Sequence, residues 1–213
     1  MNNKEGILDY NYNLFNFKNL IKKNFKDNIN VYFKNDKKKK IVNKIKSIQN
    51  SKSFHDLYNK FIKSEIAKLF PYRIAYQKFA NIRVLMQDDL DSVVPFHCDK
   101  WYNHSPDETN FWIPLHDVGG SESLQFVGLQ KSKKIEKIIL KKRLSYEEIN
   151  NVILKSSEPI KCKYGQMLRF SPLNLHGNKV NKTNLPRISI DFRVKKLNSR
   201  FHKKLLGGYF EIL

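Results

Sequence analysis

From Leu14 to Leu69 the apolar residues recur at helical spacing. Leu14, Phe15, Phe17, Leu20 and Ile21 mark one amphipathic segment, and Phe54, Leu57, Tyr58, Phe61, Ile62, Ile66 and Leu69 a stronger one. Ser53 is placed to cap the second helix, with Asp56 three residues on, and Pro71 to stop it. From Ile74 onward the spacing shortens to β-type runs broken by Asp, Gly, Ser, Pro and Asn. Strands are predicted near Asn81 to Gln87, Val93 to Asp99, Asn110 to Leu115, Ser123 to Val127, Gln166 to Phe170, Leu173 to His176 and Pro186 to Val194. So many short strands imply a sandwich or barrel, with the N-terminal helices covering a sheet.

Between Leu129 and Ser157 the pattern turns helical again. Ser145 and Glu148 form a capping-box pair ahead of Ile149, Val152, Ile153 and Leu154, which predicts a helical insertion and a candidate lid. No internal repeat or low-complexity linker interrupts the chain. The expected organisation is a single domain over 1–213, with a helical cover at 1–72, a β core at 73–196 and the insertion at 130–156.

Composition agrees with a folded chain: 40% hydrophobic and 13% aromatic residues supply a core despite 28% charged ones. The formal net charge of +20 has two readings. It is the footprint of an anionic substrate or partner, or it follows from a Lys-, Asn- and Ile-rich composition of the kind an AT-rich genome produces. The compact run Lys37 to Lys40 reads as a solvated loop. Cys98 and Cys162 cannot build a disulfide framework and form no C-x-x-C pair. With no charged-then-apolar leader and no apolar run of spanning length, no membrane span is expected and the cytoplasm is the expected location.

The candidate chemistry centres on Phe96-His97-Cys98-Asp99-Lys100-Trp101-Tyr102-Asn103-His104. On a strand, His97 and Asp99 would point to one side, and Phe96 and Cys98 to the other. His176, before the Gly177-Asn178 turn, would complete a set of two imidazoles and one carboxylate, which suits iron(II) and leaves three positions open. Arg187 to Val194 alternates without a break: Ile188, Ile190, Phe192 and Val194 on a dry face, and Arg187, Ser189, Asp191 and Arg193 on a polar one. A guanidinium with a hydroxyl two residues on can grip a carboxylate.

His97-x-Asp99, His176 and Arg187-x-Ser189 among short strands resemble the iron(II) and 2-oxoglutarate-dependent dioxygenases with a double-stranded β-helix core. The segments Asn110 to Leu115, Ser123 to Val127 and Gly165 to Phe170 follow in the order of the phytanoyl-CoA-hydroxylase-like branch. His97-x-Asp99-x-x-Tyr102-x-His104 with Glu108-x-Asn110-x-Trp112 is most similar to small bacterial members of the streptomycin-biosynthesis type. The resemblance covers Asn81 to Val194. It departs at Gly128-Leu129-Gln130-Lys131, where relatives commonly carry Pro-Gly-Ser-His, so an unusual loop is expected there.

The resemblance implies a mainly β fold with flanking helices around a double-stranded β-helix (jelly-roll, cupin-like) core. It implies Fe(II) held by His97, Asp99 and His176, 2-oxoglutarate as co-substrate and O2 as oxidant. Arg187 and Ser189 would take the distal carboxylate of 2-oxoglutarate; Asn110 and Gln87 either donate to its other carboxylate or serve as structural hydrogen bonders. Trp101, Tyr102, His104 and Trp112 would line a substrate mouth, and Arg193 either meets an anionic substrate or neutralises Asp191. The implied activity is oxidation, with hydroxylation foremost, of a small-molecule metabolite such as a sugar, amino acid or biosynthetic intermediate, releasing succinate and CO2. Two rivals stand beside it: oxidative demethylation or hydroxylation of nucleic acid or a nucleotide-linked substrate, and a non-catalytic binding protein on the same fold.

Overall fold

The computed structural model describes residues 5–25, 38–201 and 203–213. Among them, seven strands form one antiparallel sheet: β1 (Gly6–Asp9), β2 (Ile74–Gln77), β3 (Asn81–Leu85), β4 (Thr109–Pro114), β7 (Gln166–Phe170), β9 (Arg187–Lys196) and β10 (Phe210–Ile212). Their order is β1-β7-β4-β9-β2-β10, with β3 also paired to β9. A smaller sheet, in the order β6-β5-β8, consists of β5 (Gln125–Phe126), β6 (Glu158–Pro159) and β8 (His176–Gly177). The fold is the expected one, mainly β with flanking helices around a double-stranded β-helix core.

β9 organises the large sheet. It pairs with β4 from Thr109↔Val194 to Pro114↔Ser189, with β3 from Asn81↔Asp191 to Leu85↔Arg187, and with β2 at its far end. Strand side chains alternate, so Ile188, Ile190, Phe192 and Val194 share a face with Phe111 and Ile113 of β4. That face joins Phe54, Tyr58, Phe61, Ile62 and Ile66 in the main core. Phe192 stacks on Phe111 at 5.1 Å and meets Tyr58 edge-on at 5.4 Å. The opposite face carries Arg187, Ser189, Asp191 and Arg193, all buried as well.

The N-terminal helices are Phe17–Lys23, Lys38–Gln49 and Lys52–Phe61. Ser51, not Ser53, caps the last: its extended backbone lets Oγ accept from Phe54 N at 3.3 Å, whereas Ser53 already lies inside the helix. The helix runs on through a wider π turn, Ile62–Ile66, and a tighter one, Ala67–Leu69, and ends at Phe70 in extended backbone. Pro71 disfavours helical backbone in the residue before it. Lys38–Lys40 open a helix rather than a loop, because Ile41, Ile45 and Ile48 recur on one buried face; Lys37 lies outside the described residues.

Several predicted strands shrink or disappear. Val93 to Asp99 is not a strand: a single bridge joins His97 to His176, and Asp99 starts a 3-10 turn, Asp99–Tyr102. Pro95 interrupts the run, since its nitrogen cannot donate to a ladder. Four short strands, β1, β2, β6 and β10, lie outside the predicted ones; at two to four residues they are too short to show alternation.

The insertion forms helices Leu129–Lys142 and Tyr146–Ser156, the second with the predicted Ser145/Glu148 capping box. None of its residues lines the pocket that His97, His176 and Arg187 share. Ile135, Ile139 and Ile153 pack on Phe96, Cys98, Val127 and Leu175, behind the segments that carry His97 and His176. The unusual sequence at Gly128 to Lys131 is the start of this helix, whose first N–H groups lack internal partners; Leu129 N donates to Glu5 Oε1 at 2.8 Å.

Phe192 carries much of the load between sheet and helices. Phe192→Ala should cost about 3 to 5 kcal/mol, read as a lowered midpoint in urea unfolding followed by circular dichroism.

Candidate metal centre

The single bridge between His97 and His176 is the local scaffold of the site. His97 N donates to His176 O at 2.9 Å and His176 N to His97 O at 2.8 Å, which sets the two imidazoles side by side with ring centroids 4.4 Å apart. So close an approach needs Gly177: a Cβ there would meet Phe96 Cα at 2.9 Å. Each ring's Nδ1–H donates to a backbone carbonyl, His97 to Pro95 O at 2.7 Å and His176 to Asn174 O at 2.9 Å. Both Nε2 atoms therefore keep their lone pairs and turn them inward.

Asp99 Oδ1 lies between them, 3.3 Å from His97 Nε2 and 3.7 Å from His176 Nε2. These three ligand atoms fall within 4.8 Å of one another. Atoms bound about 2.1 Å from one ion lie roughly 3 to 4 Å apart, so the set could hold a metal ion. Burial alone would raise the Asp99 carboxyl, yet Arg193 and the two histidines hold it well below the usual carboxylate range. Burial, with His97 beside it, lowers His176 to about 4, so its imidazole is neutral at physiological pH. Three electron-pair donors thus converge on one point.

The other carboxylate oxygen is fully engaged. Asp99 Oδ2 accepts from Asn110 Nδ2 at 2.9 Å, Arg193 Nε at 3.0 Å and Arg193 Nη2 at 2.8 Å. Arg193 also donates to Asp191, and Asp191 accepts from Arg83 Nε at 2.5 Å and Asn81 Nδ2 at 2.9 Å. The charges alternate from Asp99 through Arg193 and Asp191 to Arg83. Burial works against the charge on Arg193, but its two carboxylate partners raise it well above the ordinary guanidinium value.

Arg187 is 2% exposed, and no carboxylate among the described residues forms an ion pair with it. Its Nη1 donates to Ser189 Oγ at 2.6 Å, its guanidinium lies 5.6 Å from the Trp112 ring, and its Nε is buried without a partner. Burial and the nearby Arg83 pull its pKa down to about 10. Trp112 Nε1 and Asn110 Oδ1 are also buried and unpartnered. Leaving buried N–H groups unsatisfied is costly, so Arg187 Nε and Trp112 Nε1 could receive an anionic ligand, whereas Asn110 Oδ1 is an acceptor and could not. Arg187, Trp112, Arg193, His97 and His176 line one pocket with Leu124 and Phe170.

The structure brings together His97, Asp99, His176, Asn110, Trp112, Arg187, Ser189 and Arg193. Asn110 faces Asp99 rather than an open space, and Arg193 meets both Asp99 and Asp191. Gln87 is not brought in: it is exposed past the end of β3, bridged to Asn181 and reaching Asp88 at 3.4 Å. His104 is also elsewhere, buried with Nδ1 on Glu108 Oε2 at 2.6 Å and its ring edge-on to Tyr209. Trp101 and Tyr102 stand exposed on the turn after Asp99, Tyr102 edge-on to His97 at 5.2 Å. Arg83 is the residue that sequence reasoning missed. Its parity with Asn81 on β3 was the available signal, but only the register with β9 sets it beside Asp191.

No family model matches the chain. The streptomycin biosynthesis protein StrG of Streptomyces griseus is 28% identical over 118 residues, which is 55% of this chain and 44% of that protein. The matched stretch therefore spans less than half of that relative's length. Among solved structures, HygX from Streptomyces hygroscopicus with iron bound aligns with a TM-score of 0.56 and 10% identity, covering 98% of this chain and 93% of its own. The non-heme monooxygenase ThoJ in its nickel complex gives 0.55 at 9% identity, covering 91% and 75%. SnoK, a non-heme alpha-ketoglutarate-dependent carbocyclase from nogalamycin biosynthesis, gives 0.51 at 12%, covering 74% and 71%. At such identities the likeness is one of fold.

The buried charges make stability depend on pH. Burial alone would raise the Asp191 carboxyl, but Arg83 and Arg193 hold it depressed. A depressed carboxylate stabilises the fold above its unfolded value near 4 and loses that contribution as pH falls. Asp191→Asn should lower stability at pH 7 and flatten its fall below about pH 4, read by urea unfolding across pH.

Proposed function

We propose that the protein is an iron(II)- and 2-oxoglutarate-dependent oxygenase acting on a small molecule. One observation carries the reading: two imidazole Nε2 atoms and one carboxylate oxygen converge within 4.8 Å, with both Nδ1–H groups turned away. Three acceptors without a hydrogen between them repel unless a cation lies among them. Two imidazoles and one carboxylate form the facial set that suits iron(II) and leaves positions for further ligands. When bound, iron with 2-oxoglutarate would supply the oxidising power, with O2 as oxidant and succinate and CO2 released.

The residues of the chain hold, orient and exclude. His97, Asp99 and His176 would bind the metal. Arg187, with Ser189 and the Trp112 Nε1–H beside it, would take the distal carboxylate of 2-oxoglutarate, which meets the unpartnered Nε of Arg187. Leu124, Phe170 and Trp112 give the pocket an apolar lining that restricts water near the reacting atoms. Trp101 and Tyr102, exposed beside the metal-binding turn, suit contacts to substrate at the mouth.

Hydroxylation of a biosynthetic intermediate is the proposed reaction. The partial likeness to StrG supports a biosynthetic setting, and the order of motifs supports the phytanoyl-CoA-hydroxylase-like branch. Both cysteines are free and buried, which accords with a reducing cytoplasm. No helix among the described residues is long and apolar enough to cross a membrane.

Anaerobic protein given iron(II) and 2-oxoglutarate should develop a weak charge-transfer band near about 500 nm. Asp99→Ala should abolish it, and Arg187→Gln should raise the 2-oxoglutarate concentration needed by about 10- to 100-fold. A folded wild-type protein without the band, or an undiminished band in Asp99→Ala, would sink the proposal.

A further inference from the structure

We infer that Arg193, assisted by Asn110, is a positioning residue that makes Asp99 a one-oxygen ligand. The inference rests on the iron(II) reading above and adds how the carboxylate is held. Three N–H groups converge on Oδ2, from Asn110 Nδ2 at 2.9 Å and Arg193 Nε and Nη2 at 3.0 and 2.8 Å. They occupy the lone pairs of that oxygen and leave Oδ1 facing the two imidazoles. For both oxygens to reach one ion, Oδ2 would have to leave three buried donors unsatisfied.

The need for such a clamp lies in the backbone. Asp99 is not on a ladder; it opens the 3-10 turn Asp99–Tyr102, and the sole bridge in its segment is at His97. Side-chain bonds must therefore fix what a strand would have fixed. The clamp is itself anchored, because Arg193 sits in β9 between β4 and β2, and its Nη1 donates to Asp191 and reaches Gln77 Oε1 at 3.5 Å. Asp191 also shares the positive charge, so Arg193 orients Asp99 without fully neutralising it. Asn110 occupies the β4 position opposite Arg193 in register, which brings both donors to the same oxygen.

The test is Co(II) titration of the full chain, with affinity and coordination read from the visible d–d absorption and unfolding midpoints recorded alongside. Partners of this kind are worth about 10- to 100-fold in metal affinity. Arg193→Gln should therefore bind Co(II) about 100-fold more weakly. Arg193→Lys, which keeps the charge but loses the two-pronged grip, should lose about 10-fold, as should Asn110→Ala, which removes no buried charge. The Co(II) spectrum should change shape in each as Oδ2 is freed. If Arg193→Gln does not fold, the other two variants decide. Affinity within about twofold of wild type and an unchanged spectrum in Arg193→Lys and Asn110→Ala overturn the positioning role while leaving the metal site standing. A wild-type protein that takes up no Co(II) overturns both readings.

Discussion

The structure depends on the burial of a charged strand face. β9 places Arg187, Ser189, Asp191 and Arg193 on one side of a strand whose other side is the aromatic core, and the side chains on both sides are buried. Removing such charges from water costs several kcal/mol per ion unless each finds a partner. Asp99 from a turn and Arg83 from β3 supply those partners, giving the alternating series Asp99, Arg193, Asp191, Arg83. Among the described residues no carboxylate forms an ion pair with Arg187, and its unpartnered Nε turns a packing requirement into a binding one.

The same constraint explains why the candidate metal centre can be assembled from segments with little regular structure. His97 and His176 are joined by one bridge, and Asp99 sits on a short turn. Their backs are fixed by Phe96, Cys98 and Leu175, packed under the helical insertion. Their fronts are fixed by hydrogen bonds: carbonyls hold both Nδ1–H groups, and Arg193 and Asn110 hold one carboxylate oxygen. Burial behind and directed polar bonds in front give a geometry that a longer strand pair would otherwise supply.

The helix Lys52–Phe61 stabilises the sheet from the side opposite the chemistry. Phe54, Tyr58 and Phe61 cover Phe192 and Phe111 on the dry face. Aromatic packing there holds β9 against β4 and β3, and the position of β9 sets where Arg187 and Arg193 reach. The site thus depends on a core that none of its own side chains enters.

Much was legible in the sequence because period-two and period-3.6 patterns report burial directly. The alternation from Arg187 to Val194 separated a dry face from a polar one, the Ser145/Glu148 pair marked a helix start, and His97, Asp99, His176 and Arg187 stood out as residue types with a shared chemistry. Tertiary structure alone decided who faces whom. His104 looked like part of the same cluster but is bound to Glu108, Asn110 turned its amide to Asp99, and Arg83 came to Asp191 through the register of β3 with β9. Local spacing encodes which face of an element is dry. The pairing of charges across elements is set by strand register and by the cost of leaving any buried ion alone, and neither is written in the neighbourhood of a single residue.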